Sequence, residues 1–286
     1  MKTIKRILIK FYKVIYNIKF IFNTFIIRSK SNLMMKNELY LNEQDRVLII
    51  APHADDEWIG CSSIINRSRN VKIVYLNYTG SNNNYDNMIV RLNEIKKIVD
   101  YKKIDLEVIE SDRIVSIRNI IDKYNPSIIC VPNIIDWHDE HRESCWILKE
   151  VIRDKDMSNT KIVSYQVSVP IPDRLINNVV SLTFNELYTK WSIFYKIYES
   201  QRNLPIIRFI CYEIIYGKYS NSFFSDVFWI SDCKKWCEII EDSLRIVEKS
   251  FDIKLKLNNI EESISYSNDF YKHVLLEKVI NIRSME

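Results

Sequence analysis

RVLIIAPHADDEWIGCSSII, residues 46–65, opens on a short β-branched apolar run and passes through Pro52 into a segment with helical spacing. An apolar run of this length, closed by a turn residue, reads as a buried strand. The pattern recurs at VKIVYLNY (71–78), IDLEVIE (104–110), PSIICVPN (126–133) and KIVSYQVSV (161–169). Between these runs, residues 58–68, 87–101, 113–124 and 142–153 carry helical periodicity. Strands alternating with helices at this spacing predict an α/β fold: a Rossmann-like, doubly wound, mainly parallel sheet with helices on both faces. In such sheets the chemistry sits in loops beyond the carboxyl ends of the strands.

The composition agrees with a packed domain. Of 286 residues, 47% are hydrophobic and only three are Gly and six Pro, which excludes wholesale disorder and Gly- or Pro-rich architectures. Beyond residue 185, segments 185–202, 205–218 and 232–250 read as helices. The chain divides on this reading into an N-terminal segment 1–36, a catalytic domain 45–215 and a helical C-terminal extension 216–286. The six cysteines form no CxxC pair and are too scattered for a disulfide scaffold, so buried thiols in a cytoplasmic setting are expected.

Residues 1–36 hold nine of the 41 basic side chains and no acid. The rest of the chain is therefore net acidic, and a basic groove for nucleic acid is not expected there. Within 4–27, Arg6, Lys10, Lys13, Asn17, Thr24 and, just beyond, Arg28 form a polar stripe on an otherwise apolar helix. Charges interrupt it too often for a spanning segment or a secretory signal. Two readings fit: a basic amphipathic helix lying at the cytosolic face of a membrane, or a helix docked by its apolar face on the protein itself or on a partner.

Three of the four histidines fall in two acid-rich clusters, each just past a predicted strand; the fourth, His273, reads as a surface residue of a C-terminal helix. The first cluster is Pro52-His53-Ala54-Asp55-Asp56-Glu57 and the second Asp136-Trp137-His138-Asp139-Glu140-His141. A parallel sheet brings both to one edge. Neutral imidazole and carboxylate are the ligands of catalytic zinc, and no Cys is present to close a structural site.

These motifs resemble the PIG-L/LmbE-like family of zinc-dependent N-deacetylases. The family signature Pro-His-Pro-Asp-Asp-Glu is matched by APHADDE, and its Asp-x-His-x-Asp-His by Asp136, His138, Glu140 and His141. Looser matches are Arg91 with Glu94, and Lys190 through Gln201. The resemblance implies that His53, Asp56 and His141 hold Zn2+ or another divalent transition metal. It implies that Asp55 is the general base, and that His138 stabilises the oxyanion or protonates the leaving amine. The implied substrate is an N-acetylglucosamine-type conjugate, lipid-linked if the basic arm lies on a membrane. Ala54 for Pro, and Asp139-Glu140 for Pro-Asp, depart from the pattern but leave the ligand set complete.

Two other functions remain open on the residues alone. A metal-dependent phosphoesterase also uses Asp with His, although such sites usually hold two metals and more ligands. A non-catalytic carbohydrate- or membrane-binding relative would keep the fold. A nucleotide-binding Rossmann protein is disfavoured, because Gly60 is the only glycine after the first strand where G-x-G-x-x-G is needed. Trp58 and Trp137 flank the motifs and read as packing residues before sugar-stacking ones.

Overall fold

Leu48 and Ile50 point to one side of their strand and Val47, Ile49 and Ala51 to the other, and all five are fully buried. Such a strand needs a packed layer on each face. The computed structural model of the protein supplies both, and it describes residues 2–30, 35–78, 85–247 and 259–272. Its strands are β1 (Asn37–Glu38), β2 (Arg46–Ala51), β3 (Asn70–Tyr75), β4 (Asp105–Val108), β5 (Ile128–Pro132), β6 (Lys161–Tyr165), β7 (Asn178–Leu182) and β8 (Phe224–Asp232). Its helices are α1 (Lys2–Lys30), α2 (Asp56–Arg67), α3 (Tyr85–Lys102), α4 (Arg113–Tyr124), α5 (Asp139–Ile152), α6 (Phe184–Ile197), α7 (Ile206–Tyr216), α8 (Cys233–Val247) and α9 (Ile260–Tyr271).

One eight-stranded sheet has the order β1-β7-β8-β6-β5-β2-β3-β4, and only β8 runs against the rest. From β2 the chain winds outward through β3 and β4, then returns to pair β5 on the other side of β2. The topological switch point therefore lies between β2 and β5, where open α/β sheets form their binding crevice. Trp58, Ile98 and Phe194 pack in the layer on one face. Phe20, Ile121, Leu148, Ile215 and Trp236 pack in the layer on the other.

The mainly parallel α/β sheet matches the sequence reading, and three local features differ. Helices α2 and α5 begin earlier than residues 58 and 142, taking Asp56 and His141 into their first turns. Acidic side chains favour that position because it faces the positive end of the helix dipole. Residues 216–286 are not simply a helical extension, since Phe224–Asp232 lies inside the sheet between β6 and β7. Its polar residues mask the strand pattern, and two of them are paired: Ser225 Oγ donates to Phe224 O, and Asp226 Oδ1 accepts from Lys190. The strand Asn178–Leu182, which the sequence reading does not name, pairs with it. His273 lies outside the described residues.

Helix α1 docks on the protein itself, though not by a purely apolar face. The inward face is mixed: Phe20 lies in the core with Tyr16 and Ile27 packed against it, and Thr24 and Arg28 of the polar stripe lie on the same side. Thr24 is buried and donates to Phe20 O at 2.9 Å, while Arg28 donates to Phe223 O at 2.9 Å, to Ser222 O at 3.3 Å and to Ile214 O. No helix among the described residues is long and apolar enough to cross a membrane.

Candidate metal centre

Strand β2 delivers His53 to the switch point, and a strained turn follows. Asp55 sits at φ 136°, ψ −27°, a conformation that costs a non-Gly residue about 1–3 kcal/mol. The turn is held by its own carboxylates. His53 N donates to Asp56 Oδ2 at 2.9 Å, and Asp55 N donates to Glu57 Oε2 at 3.1 Å. Glu57 also accepts from the Tyr198 hydroxyl, and Arg91 Nη1 donates to Ala54 O at 2.9 Å. With Ala54 where the family pattern has Pro, the φ constraint of that ring is absent, and these bonds hold the loop.

The facing loop comes from β5. Asp136 Oδ1 accepts from His138 N at 3.1 Å and Oδ2 from Ser168 N at 2.9 Å, which fixes the approach to α5. His138 occupies the N-cap position and His141 the first turn. Behind α2, Gly60 is required by contact: a Cβ there would lie 2.1 Å from the Tyr165 ring. Tyr165 in turn donates its hydroxyl to Ile50 O at 2.7 Å.

The two loops bring three ligand atoms together. His53 Nδ1 lies 3.2 Å from Asp56 Oδ2 and 3.1 Å from His141 Nε2, and His141 Nε2 lies 3.1 Å from Asp56 Oδ2. Ligands at about 2.1 Å in a tetrahedron lie about 3.4 Å apart, so one zinc-sized ion fits this set. The outer nitrogen of His141, Nδ1, lies 3.2 Å from Asp136 Oδ2, an ionic contact without hydrogen-bond alignment. Among the described residues, His53, Asp56 and His141 form the one group of ligand type close enough to share an ion.

The electrostatics ask for positive charge here. Burial pushes the Asp56 carboxyl up, but His141 and then His53 outweigh it and hold it well below the usual range. Burial disfavours the His141 cation, yet Asp56 and then Asp136 raise it well above an ordinary imidazole. A divalent cation on the three atoms meets the same demand. Asp55 differs: burial first and the Asp56 charge second push it up to about 8, against the pull of Arg91. Burial, then His141, lowers His138 to about 4, so its imidazole is neutral at pH 7.

A pocket of about 150 Å³ opens over the cluster, lined by His53, Asp55, Asp56, His138 and His141 on one side. Arg91, Gln201, Leu204 and Phe209 line it as well, with Ile59, Val167 and Ser168. All five residues singled out for the site by sequence thus converge. Of the rim, Gln201 closes the loose Lys190–Gln201 match, while Leu204 and Phe209 have no site role in the sequence reading, since apolar residues there carry no distinguishing signal. The looser matches separate. Glu94 ties α3 to Ser200, accepting from its N and Oγ at 2.7 Å. Lys190 is buried away from the pocket, 2.7 Å from Glu213 and 2.9 Å from Asp226. Trp58 is a core residue whose Nε1 donates to Lys190 O at 2.9 Å, and the Trp137 ring lies 3.7 Å from that of His138.

No protein-family model matches the chain, and no curated protein matches it. Solved structures do. The zinc-inhibited form of teicoplanin deacetylase Orf2 superposes with TM-score 0.50 at 14% identity, covering 65% of this chain and 98% of that one. The conserved protein TT1542 from Thermus thermophilus gives TM-score 0.53 at 15% identity, over 65% of this chain and 94% of that one. A deacetylase–teicoplanin complex gives 0.51 at 14% identity, over 65% and 98%. At these identities the likeness is one of fold alone. The neighbours are matched over nearly their whole length, so about a third of this chain is additional to it.

Proposed function

We propose that the protein is a metal-dependent N-deacetylase that releases acetate from an N-acetylhexosamine conjugate, lipid-linked conjugates included. One observation carries the reading: His53, Asp56 and His141 converge within 3.2 Å of one another, with Asp55 and His138 lining the same pocket. That this fold also serves a teicoplanin deacetylase supports it.

His53, Asp56 and His141 would hold the ion, which when bound acidifies water and polarises the amide carbonyl. Asp55, ionised when a divalent cation offsets the neighbouring Asp56 charge that, second to burial, raises it, accepts the proton of the attacking water as the water oxygen bonds the acetyl carbon. His138, neutral and partly exposed, donates its N–H to the developing oxyanion. The C–N bond then breaks, and the proton held by Asp55 passes to the leaving nitrogen, giving acetate and a free amine. Arg91, 3.6 Å from Asp55 Oδ2, positions that carboxylate.

Amine release from alkyl N-acetylglucosaminides tests this, with zinc, cobalt or iron(II) restored to the stripped protein. Activity that Asp55→Asn reduces by about 10²–10⁴-fold is expected. An aryl phosphate cleaved in place of the amide would overturn it. So would metal-loaded protein that releases no amine from any N-acetylhexosamine conjugate.

A further inference from the structure

Helix α1 packs on the body through Phe20, Tyr16 and Ile27 and carries a second apolar face outward. Phe20 is 3% exposed and Thr24 fully buried against the body, whereas Ile18 is 61% and Phe22 65% exposed. Val14, Ile15, Ile21 and Phe25 lie on the same outward face. Soluble helices turn such a stripe to the core, and an outward one of this extent marks an interaction surface. The inward attachment is specific: Arg208 lies 5.3 Å from the Tyr16 ring and 5.7 Å from that of Phe20, and Arg28 binds the backbone after α7.

The stripe does not end with the helix. Phe25 lies 6.4 Å from Phe223, Phe223 4.8 Å from Phe224, and Phe224 6.4 Å from Phe184, ring centre to ring centre. This aromatic row leads into an apolar groove of about 630 Å³ between α6 and α7, with Tyr188 and Tyr195 exposed along it. Ile206, Ile210 and Ile214 of α7 line the groove, while Phe209 of the same helix lines the metal pocket. Trp191 stacks on Phe209 at 5.5 Å between the two.

Two occupants suit an outward apolar helix face, and charge decides between them. In sequence the stripe has a seven-residue repeat: Ile4, Ile7, Phe11, Val14, Ile18, Ile21 and Phe25. A second copy would pair such a seam only with complementary charges beside it. Residues 1–36 hold nine bases and no acid, so two copies set like charges together. The apolar face is also wider than a two-helix seam, because Ile15 and Phe22 adjoin it. Lys19, Lys30 and Lys196 are exposed near the helix and the groove. Basic flanks around a broad apolar face are the pattern of a helix lying in an anionic bilayer surface.

We propose that the outward face of α1 and the α6–α7 groove form one docking surface for an anionic lipid bilayer, which sets α7 between the membrane and the metal pocket. The test is sedimentation of the full chain with vesicles of phosphatidylcholine and phosphatidylglycerol at about 3:1, against phosphatidylcholine alone. It uses neither substrate nor metal, so it stands or falls apart from the hydrolase reading. Expected are binding to the anionic vesicles that weakens with salt, and a loss of at least about tenfold in partitioning for Phe22→Glu with Phe25→Glu. The pair Phe184→Ser with Tyr188→Ser, on a separate element, lowers it as well. Absence of binding by the parent chain, or unchanged binding in both well-folded double variants, overturns the proposal. A vesicle-free dimer that Ile18→Glu dissociates also overturns it, by assigning the face to a second copy.

Discussion

Asp136 Oδ2 lies 3.2 Å from Nδ1 of His141, the ring nitrogen that faces away from His53 and Asp56. The carboxylate thereby holds the imidazole with Nε2 toward the other two ligand atoms, the arrangement by which outer carboxylates orient and strengthen histidine ligands. It is itself held by the backbone N–H groups of His138 and Ser168. Asp136→Asn removes the charge and leaves one carbonyl acceptor, so it keeps only one of those two bonds. Zinc affinity, read by competition with a chelating dye, is expected to fall about 10–100-fold with the fold intact.

Metal removal is expected to lower the unfolding temperature, because an ion bound only by the folded chain adds RT ln(1 + [L]/Kd) to its stability. At a free metal concentration about 100 times Kd, that is about 2.7 kcal/mol. Scanning calorimetry of Asp56→Ala and His141→Ala checks the assignment. Added zinc that raises the transition of either variant as much as the parent's would place the ion elsewhere.

Gly60→Ala drives a methyl into Tyr165, whose ring would be 2.1 Å from the new Cβ. Tyr165 is fully buried and tied to Ile50 O, so it cannot swing into solvent. A loss of about 1–3 kcal/mol is expected from urea unfolding, the range for overpacked cores. Wild-type stability in this variant would mean that the α2–β6 contact is looser than described.

Lys190 lies between two buried carboxylates, and its amine is raised by Asp226 and Glu213 against the burial that lowers it. Lys190→Met leaves them without that cation and is expected to cost about 3–5 kcal/mol at pH 8. The cost shrinks at pH 5. Burial already pushes Glu213 up to about 7 with Lys190 present. A carboxyl raised in the folded state adds stability at low pH that is lost as pH rises through its folded value. Urea titrations at the two pH values check the sign, and an equal cost at both would refute it.

Arg28→Met removes the donors that reach Phe223 O, Ser222 O and Ile214 O at the end of α7. A loss of about 1–2 kcal/mol is expected. Hydrogen exchange of α1 residues 14–30 should accelerate more than that of β2. Arg28→Lys restores only part of the protection, since one ammonium does not reproduce the guanidinium fork.

Local pattern alone makes much of this protein legible. The five β-branched runs from 46–169 are strands: four are short, largely apolar runs buried in the sheet, and Asp105–Val108, which alternates in burial, forms one of its edges. The histidine clusters at residues 53–57 and 136–141 converge because parallel strands end on one edge. Tertiary structure decided what each apolar or polar face meets. Periodicity shows that α1 has two faces, but only packing put Thr24 and Arg28 against the body and left Phe22 in solvent. Strand β8 lies hidden in a polar-interrupted stretch because its buried Asp226 is paired by Lys190, 36 residues earlier in the chain. The orientation of His141 by Asp136, and the pocket rim at Gln201 and Phe209, likewise depend on how separate elements pack. Such contacts form only when the chain closes on itself, and no local spacing encodes them.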